Sequence, residues 1–551
     1  MNGPAAADSG DPNVQYAYED GIVSTEAKFL RPNSVTYPGP STRRVVYYNY
    51  ASTGVGAPMS RLDNIASAGS PTASQKYASY MYLGAGTMVD ANYPAVTGIP
   101  ALTYGSRANS YSGFDRFGRV VNQKWQNQSG TPTVKDQFKY AYDRASNRRS
   151  RDVAPDAASP PDANDNYYTY DGLDRLAQSN RGNLASGVIT DQNADANQVW
   201  TLDPVGNWSQ FKWDADGGGA GTPITQTRTH NTANEIAGNG GNPISGTGAA
   251  NWVDPTYDAA GSMISGPQPR YETADANTQW YKYDAWNRLT RVGQGASSPG
   301  TLVVTYSYDG QNRRIRKAVA GGDTYDYYYN ESWQVLEVRK GESQNAYQQY
   351  VWGANYIDAP VVSFLDGNLD GDVADAGTDS TLYYTYDGNF NVTALVKPDG
   401  TVAERYTYDP YGQVTFKAAN WSDAASQAKS AYDNEILYCG YRWDPESGLY
   451  QVRRRYLTPP LGRWISREPF LGKTPGSGYH DGMNAYLYVG NNPALYLDFT
   501  GTRITHFDCC SKAQIAMIKT ADNAATKRST AIKNEVDQYT YTYVLEHCCP
   551  K

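Results

Sequence analysis

Residues 306–318 read YSYDGQNRRIRKA, and the phrase returns along the chain: YKYDAWNRLTRV from Tyr281, YTYDGLDRLAQS from Tyr168 and FKYAYDRASNRRS from Phe138. Tyr306 and Tyr308 stand two apart, so on a strand their rings share one face. Asp309 is placed to accept hydrogen bonds from the turn amides that follow it, and Gly310 is free to take a positive φ. Asn312 and Arg313 lead into an outgoing strand, where a guanidinium can lie over a neighbouring Tyr ring and pair with an Asp. Each phrase predicts a β-hairpin. Tandem copies predict Tyr near Tyr and Asp near Arg along a continuous sheet.

Marked by the residue before the Asp, units fall at Phe114, Tyr142, Tyr170 and Leu202, at Tyr257, Tyr283 and Tyr308, and at Tyr386, Tyr408 and Tyr432. The steps of 28, 28 and 32, then 26 and 25, then 22 and 24 residues mark an array of supersecondary units. Composition agrees. The 551 residues include 48 Tyr and 52 Gly against 4 His, a mixture of strand formers and turn formers. With so few His, nuclease or nucleophilic chemistry built on His has little support.

The net charge of −8 disfavours a nucleic-acid surface, and the basic run Arg453-Arg454-Arg455 reads as part of a local ion-pair network. No apolar stretch reaches 18 residues, so no membrane-spanning helix is expected. The opening MNGPAAADSGDPN has no basic n-region or apolar h-region. YAYEDG (Tyr16 to Gly21) already looks like the repeat, so the chain is expected to begin inside an array whose start lies in a longer protein or another chain.

Two segments stand apart. In DGNLDGDVADAG (Asp366 to Gly377), Asp366, Asn368 and Asp370 take positions 1, 3 and 5 of an EF-hand-like loop, with Gly371 at position 6. Asp372 falls at position 7, Gly377 replaces the bidentate Glu of position 12, and Asp375 or Asp379 is left to supply oxygens. The expectation is a structural calcium site, with a solvated acidic loop as the alternative. The last fifty residues change character: Ser511 to Tyr539 reads as helix, with Ile515, Ile518, Ala521 and Ala525 near helical spacing. Cys509-Cys510 and Cys548-Cys549 flank it, beside His506 and His547, which suggests disulfides clamping a helical hairpin or, less favoured, a zinc site. Cys439 is expected to be a buried thiol.

The YDxxNR-like units resemble those of the rearrangement-hotspot (Rhs) family, also found in teneurins and insecticidal toxin complexes. The resemblance is densest where LYYTYDGNFNVTALVKPDGTVAERYTYDPYGQV (Leu382 to Val414) leads to CGYRWDPESGLYQVRRRYLTPPLGRWISREP (Cys439 to Pro469) and NAYLYVGNNPALYLDFTG (Asn484 to Gly501). The latter two are similar to the family's core module. The resemblance implies a mostly β protein in which a spiralling antiparallel sheet of hairpins forms a shell, the core module plugs one end, and a variable tail follows. It divides the chain into a β-rich start of degenerate repeats (1–110), the array (111–435), the core module (436–501) and a helical tail (502–551). About two dozen strands at ~4.8 Å make a ribbon of roughly 115 Å, closing one ring about 37 Å across. A tail of about 50 residues, with a radius of gyration near 10 Å, fits inside. One turn seals nothing, so an open or partial shell is expected.

The same resemblance implies an aspartyl autoprotease that cuts after a terminal Asp-Pro-x-Gly-Leu. Glu468 and Asp498 fall at the two carboxylate positions, but Glu468 replaces an Asp, Phe499 replaces the Pro, and Thr502 stands where Leu is expected. The plainer reading is that Asp498 caps a turn. The tail resembles the opening helix of deuterolysin-like zinc peptidases, yet no H-E-x-x-H occurs in the chain. The function expected is a non-catalytic scaffold of a secreted or surface protein, whose partners are its own tail and a shell-completing chain or N-terminal region. The alternatives are an adhesin for a surface glycan or protein, and a self-cleaving toxin.

Overall fold

The computed structural model describes residues 13–506 except 20–30, 40–42, 58–59, 84–86, 105–112, 130–132, 155–163, 191–193, 215–222, 238–241, 247–251, 270–277, 423–427, 470–482 and 503–504. Within them the chain forms a 16-stranded sheet, Gln15–Glu19 through Ile244–Gly246, and a 14-stranded sheet, Thr256–Tyr257 through Val414–Ala418. Strand order follows chain order in both, and neighbours pair antiparallel. A four-stranded sheet (Arg442–Asp444 to Arg463–Trp464) and a two-stranded one (Tyr496–Leu497 with Thr505–His506) complete the fold. No α-helix occurs among the described residues. The helix expected over 511–539 and Cys509, Cys510, Cys548 and Cys549 lie outside them.

The hairpin at Tyr308 shows why the phrase repeats. Asp309 Oδ1 accepts the amides of Gln311 and Arg313, each at 2.9 Å, and Arg313 Nε donates to Asp309 Oδ2 at 2.7 Å. The same cap recurs at Asp115, Asp171, Asp284 and Asp387. The left-handed residue is Asn312 (φ 70°), and Gly310 is not in that region. The turn needs its positive φ three residues after the Asp, where Asn287, Gly118 and Gly206 also adopt it. The expectation for Gly310 was therefore misplaced by two positions.

Two staples join consecutive units. The second Tyr of each phrase donates its hydroxyl to a carbonyl on the preceding unit's outgoing strand: Tyr142 to Val120 (2.8 Å), Tyr170 to Arg148 (2.6 Å), Tyr308 to Leu289 (2.7 Å) and Tyr329 to Arg314 (2.6 Å). The Arg or Asn closing each turn reaches forward instead, Arg119 to Ser146, Asn147 to Asp174, Arg175 to Asp203 and Arg288 to Asp309. Arg119 and Arg288 also lie over the next unit's Tyr142 and Tyr308 rings, at 4.5 and 5.0 Å. Tyr and Arg thus recur along the array because each holds a neighbour.

Two sequence readings are corrected. Tyr432-Asp433 opens no hairpin; it lies in the link between Val414–Ala418 and the four-stranded sheet, where Asp433 accepts the Tyr347 hydroxyl at 2.5 Å. Asn231 and Asn330, each capping its turn through Oδ1, are units that the Tyr-Asp pattern missed.

Among the described residues the array is recorded as two sheets, the first ending at Ile244–Gly246 and the second beginning at Thr256–Tyr257, and their side chains meet. Large side chains of the first sheet reach backbone of the second: Tyr37 to the Tyr350 carbonyl (2.6 Å), Tyr93 to Tyr384 (2.7 Å) and Trp125 to Tyr386 (2.9 Å). Buried charges bridge the sheets as well, Arg151 to Asp387 at 2.9 Å and Arg405 to Asp136. Polar groups so deep persist because each has a partner. The shell is open, and its two walls meet.

Candidate functional site

The recurring turns capped by Asp or Asn through the amides two and four residues on fall on one rim, because alternate turns of a meander share a side. The segment from Ile436 to Asp498, the end module, packs against that rim. Asn484 donates to Asn207 (2.8 Å), Asn491 to the Gly206 carbonyl (2.7 Å), and Asn492 to Asn147 (3.0 Å) and the Asp174 carbonyl (2.9 Å). Its amides thus continue the hydrogen-bond ladder of the turns. Against the second sheet the module carries charge. Asp444 and Arg314 are both fully buried and pair at 2.5 Å, and Tyr306 donates to Asp444 at 3.1 Å. Lys317 meets Glu435 at 2.5 Å and Glu446 at 3.3 Å. Burial works to lower the Lys317 ammonium, but Glu435, Tyr327 and Asp444 outweigh it and hold its pKa well above the ordinary lysine value. Burial works to raise Glu435, yet Lys317 and Arg442 keep it below the usual carboxylate range.

The module ends in a clamp. Residues 453 and 454 turn between Leu449–Val452 and Arg455–Thr458. Arg453 holds Asp358 through two nitrogens, at 2.7 and 2.9 Å, and donates to the Phe499 carbonyl. Arg455 stacks on Trp464 at 4.3 Å and donates to the Gly501 carbonyl. Two members of the Arg run therefore sit in a local ion-pair network, as expected from charge. Gly501 is required here, since a Cβ would lie 2.3 Å from the Val452 carbonyl oxygen.

Arg455 also brings together the two carboxylates singled out in the sequence, lying 3.0 Å from Glu468 and 3.4 Å from Asp498. Asp498 Oδ1 accepts the amides of Thr500 (3.2 Å) and Thr502 (3.1 Å), so it caps the turn of the hairpin formed by Tyr496–Leu497 and Thr505–His506. The Gly501–Thr502 peptide is consequently held at both ends, its oxygen by Arg455 and its N–H by Asp498. A guanidinium on a carbonyl oxygen can stabilise negative charge developing there. The two carboxylates meet through a shared cation, whereas an aspartic dyad shares a proton directly. Arg455 escaped the sequence reading because only the fold places it between positions 468 and 498.

Elsewhere, both Asp366 oxygens are engaged by the loop's own amides, Oδ1 by Asp370 (3.2 Å) and Oδ2 by Gly371 (2.8 Å). The Asn368 amide lies between Asp370 (3.1 Å) and Asp375 (2.8 Å), and Asp372 accepts the Ala374 amide at 2.9 Å. Among the described residues no group of three or more His, Cys, Asp or Glu side chains is arranged to hold a metal ion. Cys439 is a buried free thiol, as expected, and burial pushes its pKa up. No helix among the described residues is long and apolar enough to cross a membrane.

No protein-family model matches the chain. It is 29% identical over 223 residues to the tRNA3(Ser)-specific nuclease WapA of Bacillus spizizenii, covering 40% of this chain and 8% of that protein. It is 25% identical over 361 residues to the toxin subunit YenC2 of Yersinia entomophaga, covering 61% and 34%. It is 26% identical over 392 residues to the probable deoxyribonuclease RhsB of Dickeya dadantii, covering 68% and 24%. The chain thus spans about a third or less of these relatives' lengths. The crystal structure of TcdB2-TccC3-Cdc42 matches with a TM-score of 0.60 at 19% identity, over 86% of this chain and 21% of that one. The Tc holotoxin pore of Photorhabdus luminescens gives 0.59 at 19%, over the same shares. The sequence relatives are Rhs-type and toxin proteins, and the structural likeness is one of fold, an open antiparallel β-shell.

Proposed function

We propose that this chain serves as a wall and end-plug of a secreted or surface-displayed Rhs-type toxin shell, and that its work is to hold and present the segment following Thr502. The wall is completed by a further chain or by preceding repeats. The observation that carries this reading is the plug itself. It is joined to one sheet by the Asp444–Arg314 and Lys317–Glu435 pairs and to the other by the Asn484–Asn492 ladder. It ends where Arg453 and Arg455 grip the backbone of residues 499–501. A segment leaving that clamp starts from a fixed point. The test is growth of a bacterial host expressing the full chain or residues 502–551 alone. The reading expects inhibition by the short segment and relief in the full chain. Equal inhibition by both would refute shielding.

The clamp favours one second reading, self-cleavage beside Gly501. Glu468 and Asp498 would supply carboxylates, and Arg455 would stabilise charge on the carbonyl oxygen. Intact mass of freshly made protein decides it: a fragment of about 50 residues, absent in Asp498→Asn, supports cleavage, and a single full-length species excludes it.

A further inference from the structure

Where the end module meets the first sheet, positive charge collects without a matching acid. Arg228 ends the strand Ile224–Arg228, His230 lies just beyond it, and Arg463 opens the short strand Arg463–Trp464 of the end module. All three line a cavity of about 10 Å³, together with Trp208, Ile236 and Leu487. A space of that size holds about one water-sized guest and no polyatomic ion.

Arg228 is 3% exposed and Arg463 6%. Arg228 donates to the Gln226 side chain at 2.6 Å and to the Pro460 and Leu461 carbonyls at 3.3 and 3.4 Å, and it lies 4.8 Å from the Trp208 ring. Arg463 donates through one terminal nitrogen to the Asn234 carbonyl at 2.5 Å and lies 4.7 Å from the Tyr486 ring. Its Nε is buried with no hydrogen-bond partner. The two acids that act on Arg463 are committed elsewhere. Glu235 pairs with Arg467 at 2.8 Å and accepts from Asn231 at 2.7 Å, and Asp203 caps its own turn. Burial and the charge of Arg463 pull Arg228 down to about 9, and both guanidiniums bear on His230.

Buried charge without a partner is expensive. A water in the cavity would accept from Nε but leave the charge uncancelled, whereas a monatomic anion does both. The guanidinium N–H groups and a neutral imidazole N–H are all donors, so they suit a spherical acceptor. We propose that this cavity binds a single halide ion, chloride in physiological salt, between Arg463 Nε, Arg228 and His230. Arg228 and His230 belong to the first sheet and its following turn, and Arg463 to the end module, so the ion ties one to the other. The site is independent of what the chain presents after Thr502.

The test is calorimetric scanning of the full chain near neutral pH, in sodium chloride or bromide against sodium gluconate at one ionic strength. Gluconate is too large for the cavity. Halide should raise Tm saturably, by about 2–3 °C over gluconate, and Arg463→Gln and Arg228→Gln should each lose that response. Should these variants fail to fold, crystals of the parent grown in bromide decide the matter, since anomalous difference density should mark one ion beside Arg463. The proposal is overturned by a Tm that follows ionic strength whatever the anion, by a halide response that survives Arg463→Gln, or by a bromide map with no peak in the cavity.

Discussion

Replacing Asp444 by Ala should loosen the plug more than any exposed ion pair could. The carboxylate lies fully buried against Arg314, which is equally buried, 2.5 Å away. Removing it leaves a guanidinium in the interior with the Tyr456 hydroxyl at 3.4 Å and the Tyr306 and Tyr327 rings, at 4.9 and 5.3 Å, to offset its charge. Breaking one side of a buried pair costs about 3–5 kcal/mol. At about 2.1 cal/mol/K per residue, a chain of this length unfolds with an entropy near 1 kcal/mol/K, so each kcal/mol moves Tm by about 1 °C. Asp444→Ala and Arg314→Met should therefore each lower Tm by roughly 3–5 °C in a calorimetric scan. The double variant Arg314→Met/Asp444→Leu should recover more than half of either loss, since an apolar pair needs no charge partner. Single variants within about 1 °C of the parent, or a double variant whose loss equals the sum of both, would refute the reasoning.

Four further outcomes follow from the same contacts. His230 is held down to about 3, by burial first and then by Arg463 and Arg228. The unfolded imidazole takes up its proton near pH 6.5 while the folded one stays neutral, so stability falls with pH through this window, by about 3 kcal/mol at pH 4; a chemical-denaturation series should show His230→Gln flattening that slope. Tyr308→Phe removes the hydroxyl shared with the Leu289 carbonyl and Tyr456 and should cost about 1 kcal/mol in urea unfolding, where a zero effect would deny the staple its role. If the loop holding Asp370 and Asp375 about the Asn368 amide takes calcium, millimolar calcium should raise Tm by several degrees and Asp370→Asn should abolish the rise, whereas an unchanged Tm would mark a solvated acidic loop. Gly501→Ala drives a methyl into the Val452 carbonyl and should expose the segment after the clamp to trypsin sooner than in the parent.

The hairpin was legible because its causes are local. Asp309, its two amides and Arg313 lie within five residues, and the Tyr staple reaches only one unit back. Units written with other letters were not: Asn330 caps its turn as Asp309 does, yet Gln334 takes the Arg position and its Oε1 accepts from the Asn330 amide at 2.6 Å. Tyr432 failed in the other direction, since a Tyr-Asp pair without flanking paired strands makes no hairpin. The meeting of the walls was out of reach, because Tyr37 and Tyr350 are 313 positions apart. So was the plug's charge cluster, whose members are ordinary surface letters until Asp444 is packed on Arg314. The two carboxylates at the clamp were found through resemblance; the Arg455 that joins them needed coordinates.

Hydrogen exchange on the full chain tests most directly whether the plug is one body with the walls. Segments 456–465 and 484–498 should be protected as strongly as 301–308 and 335–340, opening only with the whole structure. Fast exchange in 441–498, while the two large sheets keep their protection, would make the module a loosely attached domain and contradict the account.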